Sequence, residues 1–531
     1  MTSRTTLCRL LRSTALSPPH RSLATCRACP LAQLSQARHY RPYVRVRATG
    51  TSAKDNESQP CSASARIPLR AGSVFGVSSS RGSRAYQEDA WSASCVLLPP
   101  KAIKASLASG WSRIAKEAAA RWHPESDAEE AANAQGVEDL DDAKEREQAL
   151  MEEYGQIVWF GCFDGHGGRA ISTHLKDTLH ATFESADPRL ATKIAQFTRS
   201  LGGYFRRFAG GGMQRWVRQE LLKPVRAGRG SAGRAPRTSA PMEAQTPQDV
   251  DASDSKPAEE LAAKRGLSVK STTPQASEGQ IIDGSDIGLV DPPDAVSSEE
   301  MTIAERCTLA WLMADKEIQQ SEQLNVGGST ASVALLHSLD VPATPWYSSR
   351  LLSITTAQIG DTRLLLCGSD GRAIPLTNYH HPDDRGEADR LRKVGAGMIT
   401  DSFGEARWMG ALANTRAFGD SGFKKAGVTA EPEVITQVIK GDDYAFVIAF
   451  SDGVGEKVSD QEVVDLCRGA GHPSDAAKAV LSFAEELGAE DNGTVLVIPL
   501  RGWGKVGGED TTRAQREFRK SKTDVFREGR R

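Results

Sequence analysis

The sequence predicts an α+β fold: many short strands with helices attached, in layers, without regular strand–helix–strand units. Two observations point there. Short apolar runs end abruptly at turn residues, and helical stretches fall between them at irregular spacing. Periodicity alone does not fix how the strands are ordered.

The folded part is expected to begin near Ile67 or Ala71, and Ala90 to Leu98 is the first clear strand, closed by Pro99 and Pro100. Residues 101 to 155 then turn rich in Ala, Glu, Asp and Lys and read as an insertion, with a short helix over Ser112 to Arg121 and a solvated acidic stretch over Asp127 to Glu153. Gln156 to Phe163 is a buried strand ending at Asp164. Helices are expected over Arg169 to Phe183 and across Leu190 to Leu221. Residues 226 to 298 are dominated by Ser, Pro, Gly, Ala and acids and read as a second, largely disordered insertion, dispensable for chemistry.

Ile303 to Lys316 reads as a helix and Ser329 to Leu339 as a strand. Leu351 to Gln358 and Thr362 to Cys367 flank Ile359-Gly360-Asp361, which reads as a hairpin turn, and Asp370-Gly371 marks another. Arg385 to Val394 reads as a helix and Tyr444 to Phe450 as a strong strand. Ser459 to Cys467 and Ser474 to Leu487 follow as helices, with Ser474 and Asp475 offering the second a polar start. Thr494 to Leu500 is the last strand, and 501 to 531 is a polar, basic, loose tail.

Composition limits the function. The 531 residues carry a formal net charge of -2, so no bulk field advertises nucleic acid or a membrane surface. No apolar run approaches the roughly 18 residues of a membrane span. The nine cysteines are irregularly spaced and give no disulfide framework, and the Cys26–Cys29 pair reads as chance spacing. From Met1 to Lys54 there are nine arginines and no acid, with Leu7, Leu10 and Leu11 on one side of a possible helix and Arg9 and Arg12 towards the other. That is the composition of an organelle presequence. Residues 1 to 40 are therefore expected to direct the chain to the mitochondrial matrix, with cleavage near Arg38-His39-Tyr40 and a linker over 41 to 69.

The chemical signal is a set of acids at strand ends. Asp164 and Asp452 follow apolar runs, Asp491 precedes one, and Glu88 and Asp89 precede another. Each carboxylate is costly to bury alone. A cluster repels, and a hard divalent cation such as Mg²⁺ or Mn²⁺ relieves the repulsion. Asp164-Gly165-His166-Gly167-Gly168 adds glycines for a tight turn and an imidazole that can give a proton near neutral pH. Arg84, four residues before Glu88, carries a donor fork suited to a phosphate dianion.

These motifs closely resemble the PP2C, or PPM, family of metal-dependent serine/threonine protein phosphatases. Its opening motif stands as Arg84-Ala85-Tyr86-Gln87-Glu88-Asp89 and its hallmark as Asp164 to Gly168. Gly328-Ser329-Thr330-Ala331 follows, then Gly360-Asp361-Thr362-Arg363 with Thr for the usual Ser. Leu412 to Asp420, with Thr415 for Ser, precedes Glu431-Pro432-Glu433-Val434, Ser451-Asp452-Gly453 and Asp491-Asn492-Gly493-Thr494. Gly493 stands where the family has a larger apolar residue, which implies looser packing there.

The resemblance covers roughly residues 70 to 500 apart from the two insertions. It implies a sandwich of two antiparallel sheets with helices on both outer faces and metals at one end. It implies two catalytic Mg²⁺ or Mn²⁺ ions and a weaker third. Asp164 would bridge two ions, with the Gly165 carbonyl beside it; Asp452 and Asp491 would serve the first ion, Glu88 the second, with Asp89 supporting its waters. Asp361 would serve the weaker ion together with Asp452. Arg84 would bind phosphate and His166 would act as general acid. A metal-bridging water would attack phosphorus in line. Mitochondrial members of the family are associated with matrix phosphoproteins including pyruvate dehydrogenase, and a monomer is expected to suffice. The competing readings are a catalytically inactive PP2C-like regulatory or binding protein, a phosphatase of small metabolites and a two-metal nuclease.

Overall fold

The computed structural model describes residues 41–51, 60–110, 113–122, 148–222, 300–324, 326–340, 344–392, 398–400, 406–410 and 412–528. The expected presequence, the 226–298 insertion and most of the acidic stretch after 127 lie outside them.

Two five-stranded antiparallel sheets form the centre. The first runs, in spatial order, Glu433–Lys440, Leu351–Ile359, Ala331–Ser338, Gln156–Phe163 and Ala90–Leu97. The second runs Ala373–Pro375, Arg363–Gly368, Tyr444–Phe450, Gly493–Pro499 and Gly76–Ser80. Their facing sides share one core. Val158, Phe160 and Cys162 of the first sheet meet Leu364, Leu366, Val447, Ala449, Leu496 and Ile498 of the second.

The alternate residues point outward onto helices. Ile157, Trp159 and Phe163 pack with Leu175, Leu179 and Phe183 of the helix Ala170–Glu184 and with Trp311 of the helix Ile303–Gln320. Phe446, Ile448, Phe450, Val495 and Val497 pack under the helices Asp460–Cys467 and Pro473–Glu486. Both faces of each central strand are therefore dry. Such a strand is a continuous apolar run instead of an alternating one, and its sequence alone leaves the partner strand open. Cys162 is fully buried within its strand, and burial pushes its thiol up.

Several expectations change. Residues 41 to 69 carry a hairpin, Tyr43–Thr51 paired with Pro60–Pro68, in place of the expected linker. Val44 and Leu69 join the core between the sheets, Arg41 pairs with Glu184 at 2.7 Å, and the Arg45 amide donates to Gln156 Oε1 at 2.7 Å. Within the expected 101–155 insertion, helices at Pro100–Ala108 and Arg113–Arg121 put Ile103, Leu107, Ala115 and Ala119 into the core outside the first sheet. The helix expected across Leu190 to Leu221 stops at Ser200. Gly202, Gly203, Gly210 and Gly211 all take positive φ beyond it, and 3₁₀ turns replace it. The helix expected to begin at Ser474 begins at Pro473, where the His472 ring accepts from the Ser474 amide.

The expected loose tail after Arg501 includes the helix Arg513–Glu528. It is docked by Arg519 on Glu462 at 2.7 Å and by Lys520 on Glu486 at 2.9 Å. Ile359-Gly360-Asp361 is not a hairpin turn, because its two flanking strands belong to different sheets. Gly360, at φ 87°, carries the chain from one sheet to the other and delivers Asp361 to the end of the sandwich. Gly493 does not loosen its surroundings: a Cβ there would come within 2.7 Å of Leu481 Cδ1, so Leu481 already fills the space.

Candidate metal centre

Strand ends bring the acids together. Asp164 leaves the strand Gln156–Phe163, and its carbonyl accepts from the Thr330 amide at 2.9 Å. Gly165-His166 pairs with Gly328-Ser329, which in turn pairs with Phe418-Gly419, a small sheet that caps this end of the sandwich. A Cβ on Gly165 would sit 2.6 Å from the Glu88 carbonyl, so glycine is needed to hold the two acidic segments together. Asp452 follows the strand Tyr444–Phe450 and opens a single helical turn. Gly453 beside it admits no side chain, since a Cβ would lie 2.0 Å from the Asn492 carbonyl.

One carboxylate oxygen from each of Asp164, Asp361 and Asp452 lies within 4.8 Å of the other two. Asp164 and Asp452 also share a hydrogen bond. Asp89 stands alongside, with its Oδ2 accepting from Ser451 Oγ at 2.8 Å. The Asn492 side chain knits the Arg84–Asp89 segment to Asp491: its Oδ1 accepts from the Glu88 amide at 2.7 Å and its Nδ2 donates to the Tyr86 carbonyl at 2.9 Å.

The electrostatics are those of crowded acids. Burial, then the charges of Asp452, Asp89 and Asp361, pushes the Asp164 carboxyl well above the usual range. Asp452 is pushed up to about 8, first by burial and then by Asp361 and Asp491. Asp89 reaches about 6, first by burial, with Asp491 adding to it. Asp89 Oδ1 and Asp361 Oδ1 are shut from solvent with no hydrogen-bond partner in the protein. Buried acceptor oxygens on mutually repelling acids fit a divalent cation, which supplies the missing positive charge and ligand bonds. Among the described residues this is one acidic cluster, and it does not by itself count the ions.

Arg84 and His166 lie at the rim. Arg84 is 59% exposed and pairs with Asp491 at 2.5 Å, so its fork is ordered beside the acids. His166 Nε2 lies 2.9 Å from Asp420 Oδ1, which places a proton on Nε2 because the carboxylate can only accept. Burial alone would lower the His166 pKa, but the Asp420 hydrogen bond and charge, with Asp361 and Glu88 behind them, outweigh it and raise it.

Asp420 is the residue that sequence reasoning left without a role. It takes a left-handed conformation at φ 47°, held by its amide on the Gly327 carbonyl at 2.9 Å. A Cβ on Gly328 would lie 2.6 Å from both Asp420 Oδ2 and His166 Nε2, so that glycine lets the pair meet. A buried ion pair behind it, Lys424 Nζ to Asp315 Oδ1 at 2.9 Å, fixes the segment: Asp315 accepts from the Gly419 amide and Lys424 donates to the Ala417 carbonyl. The available signal was the place of Asp420 at the end of a recognised motif; its partner lies 254 residues away.

Residues 296–493 match the family described as Protein phosphatase 2C. That span contains Asp361, Asp452 and Asp491; Arg84, Glu88, Asp89, Asp164 and His166 precede it and join them in the fold. The chain is 40% identical over 214 residues to Protein phosphatase 2C homolog 4 of Schizosaccharomyces pombe, covering 39% of this chain and 55% of that protein. It is 32% identical over 213 residues to Protein phosphatase 1K, mitochondrial, of Xenopus laevis, covering 39% of this chain and 54% of that one. The chain thus spans about half the length of these curated relatives. A solved serine-threonine phosphatase 2C from Toxoplasma gondii aligns over 87% of this chain and 99% of its own at 14% identity, with a TM-score of 0.41, a likeness that carries no assignment. The matched family span takes in less than half of the chain, and the fold adds to it two helix-flanked antiparallel sheets with the aspartate cluster at their end.

Proposed function

We propose that the chain is a metal-dependent protein phosphatase that hydrolyses phosphoserine and phosphothreonine in mitochondria. The observation that carries the reading is the convergence of Asp164, Asp361 and Asp452, with buried acceptor oxygens of Asp361 and Asp89 lacking protein partners. Asp164, with the Gly165 carbonyl beside it, would serve two Mg²⁺ or Mn²⁺ ions, Asp452 and Asp491 the first of them, and Glu88 the second, supported by Asp89. Asp361 with Asp452 would hold a weaker third. Bound cations supply positive charge for the phosphoryl oxygens and make a neighbouring water acidic enough to act as nucleophile at neutral pH.

The chain's own groups do the rest. Arg84 offers its guanidinium to the phosphate at the exposed rim, where charge on the equatorial oxygens grows during transfer. His166, protonated, keeps Nε2–H on Asp420 and carries a second proton on Nδ1 for the departing serine or threonine oxygen. The Asp420 carboxylate favours that protonated form, so the acid is loaded near neutral pH.

The acid-free, arginine-rich start and the relative named as mitochondrial support the location, and matrix phosphoproteins such as pyruvate dehydrogenase are the substrates to try first. The test is turnover of phosphopeptides by purified protein stripped with EDTA and then given Mn²⁺ or Mg²⁺, alongside a panel of small phosphorylated metabolites. Activity absent after stripping and restored by metal on phosphopeptides is expected. Full activity after verified metal removal overturns the mechanism, and preference for metabolites overturns the substrate class.

A further inference from the structure

The helix Arg513–Glu528 covers acids that are costly to bury. Glu462 and Asp465 lie three residues apart on one face of the helix Asp460–Cys467, while Val463, Val464 and Cys467 turn into the core. Both acids are buried, at 0% and 3% exposure. A buried carboxylate needs charge or hydrogen bonds to offset its lost water. Asp465 has the Arg468 guanidinium at 3.0 Å and the amide and hydroxyl of Thr512, the residue before the covering helix, at 3.1 and 2.9 Å. Glu462 has Arg519 of that helix, whose Nη1 donates to its two oxygens at 2.9 and 2.7 Å.

Arg519 also makes a contact that docking does not require. Its other terminal nitrogen, Nη2, donates to the Lys457 carbonyl at 2.5 Å. Lys457 closes the turn that Asp452 opens: the Glu456 amide donates to the Asp452 carbonyl at 2.8 Å, and the Lys457 and Val458 amides donate to the Val454 carbonyl at 3.1 and 3.0 Å. Glu462 is tied to the same stretch, because its Oε2 accepts from the Ser459 amide at 2.9 Å as half of a capping box. One guanidinium therefore grips both ends of the stretch from Lys457 to Glu462. The helix Asp460–Cys467 reaches a second acid of the cluster as well. Its Asp460 pairs with Arg363, two residues after Asp361, and Arg363 Nη1 donates to the Thr377 carbonyl at 2.9 Å.

On the metal-dependent reading of the aspartate cluster, we propose that Arg519 is a positioning residue for it: by bridging Glu462 and the Lys457 carbonyl it holds the Asp452 turn where a cation needs the carboxylate. Oxygens of Asp164, Asp361 and Asp452 lie within 4.8 Å of one another, and without a cation the acids repel. A turn carrying one of them keeps its place only if its backbone is anchored, and a preset spacing is what readies the site for an ion. A planar guanidinium with two terminal nitrogens suits such a bridge. A lysine has one nitrogen and cannot reproduce the fork.

The test compares wild type, Arg519→Lys and Arg519→Ala as full chains, by Mn²⁺ titration, urea denaturation and amide hydrogen exchange in EDTA. Arg519→Lys keeps the charge against Glu462, so its urea midpoint should stay near that of the wild type. Its Mn²⁺ dissociation constant should rise about threefold to tenfold, and the Lys457 and Val458 amides should exchange faster before any metal is added. Arg519→Ala should show both effects more strongly, with lower stability besides. Wild-type Mn²⁺ affinity and exchange in both variants, even with lower stability in Arg519→Ala, overturns the positioning role and leaves the helix a structural one. Losses confined to Arg519→Ala show that charge on Glu462 suffices and overturn the bridge to Lys457. A wild type that binds no Mn²⁺ overturns the metal reading instead, while exchange in EDTA still decides whether Arg519 holds the turn.

Discussion

Replacing Asp452 by Asn separates a metal ligand from a turn aspartate by opposite signs in two measurements. In the cation-free protein the Asp452 carboxyl is pushed up to about 8, by burial first and then by Asp361 and Asp491. A carboxyl with a raised folded-state pKa contributes stability that is complete below its unfolded value near 3.8 and is lost as pH rises towards about 8. At about 1.4 kcal/mol for each pH unit, the upper limit of that loss is about 6 kcal/mol. Water entering a half-buried site reduces it, and about 2–4 kcal/mol is the working figure at pH 8.

Asn keeps the volume and a donor for Asp164 but never ionises. In EDTA, Asp452→Asn should therefore be more stable than the wild type at pH 8 by about that amount and nearly equal to it at pH 4. With Mn²⁺ the order reverses, because only the wild type gains full binding energy. Turnover of a phosphopeptide should fall at least about 100-fold. The assay is urea denaturation at both pH values with and without Mn²⁺, followed by Mn²⁺ titration and steady-state kinetics on the same preparations. A variant no more stable than wild type in EDTA at pH 8, with unchanged Mn²⁺ affinity and turnover, refutes the reasoning and weakens Asp491 as its partner.

Asp420→Asn should lower kcat about 10- to 100-fold on phosphopeptides with little change in KM, because the imidazole loses the charge that keeps it protonated. Turnover of p-nitrophenyl phosphate, whose leaving group needs no proton, should fall far less; equal losses on both substrates would assign Asp420 a structural role only. His337 is buried with Nδ1–H donated to the Gln156 carbonyl at 2.8 Å, and burial lowers its pKa to about 4. A histidine depressed in the fold contributes stability that is present above about 6.5 and is lost as pH falls towards about 4, here by up to about 3 kcal/mol. Comparing denaturation of wild type and His337→Gln across that range should show the wild type losing stability faster in acid; parallel profiles would count against it.

The site was legible because its chemistry is written in short local patterns. Asp164, Asp452 and Asp491 sit at the ends of apolar runs, where a strand must stop and a side chain can reach out of the sandwich, and those runs are strands in the fold. Strands buried on both faces gave firm boundaries by the same logic, as at Gln156–Phe163 and Tyr444–Phe450. Pairing is another matter. A run apolar on both faces fits any neighbour, so only the assembled sheets decided that Gly360 crosses between them instead of turning a hairpin. The hairpin over residues 43 to 68 and the helix at Arg513–Glu528 were hidden because polar, basic sequence gains its order from distant partners: Glu184 and Gln156 for one, Glu462 and Glu486 for the other. The sequence by itself determined the resemblance to a phosphatase family and the acids that could meet a cation. Tertiary structure alone decided which group stands behind the site, Asp420 on His166, because that contact joins residues 254 positions apart and no local spacing encodes it.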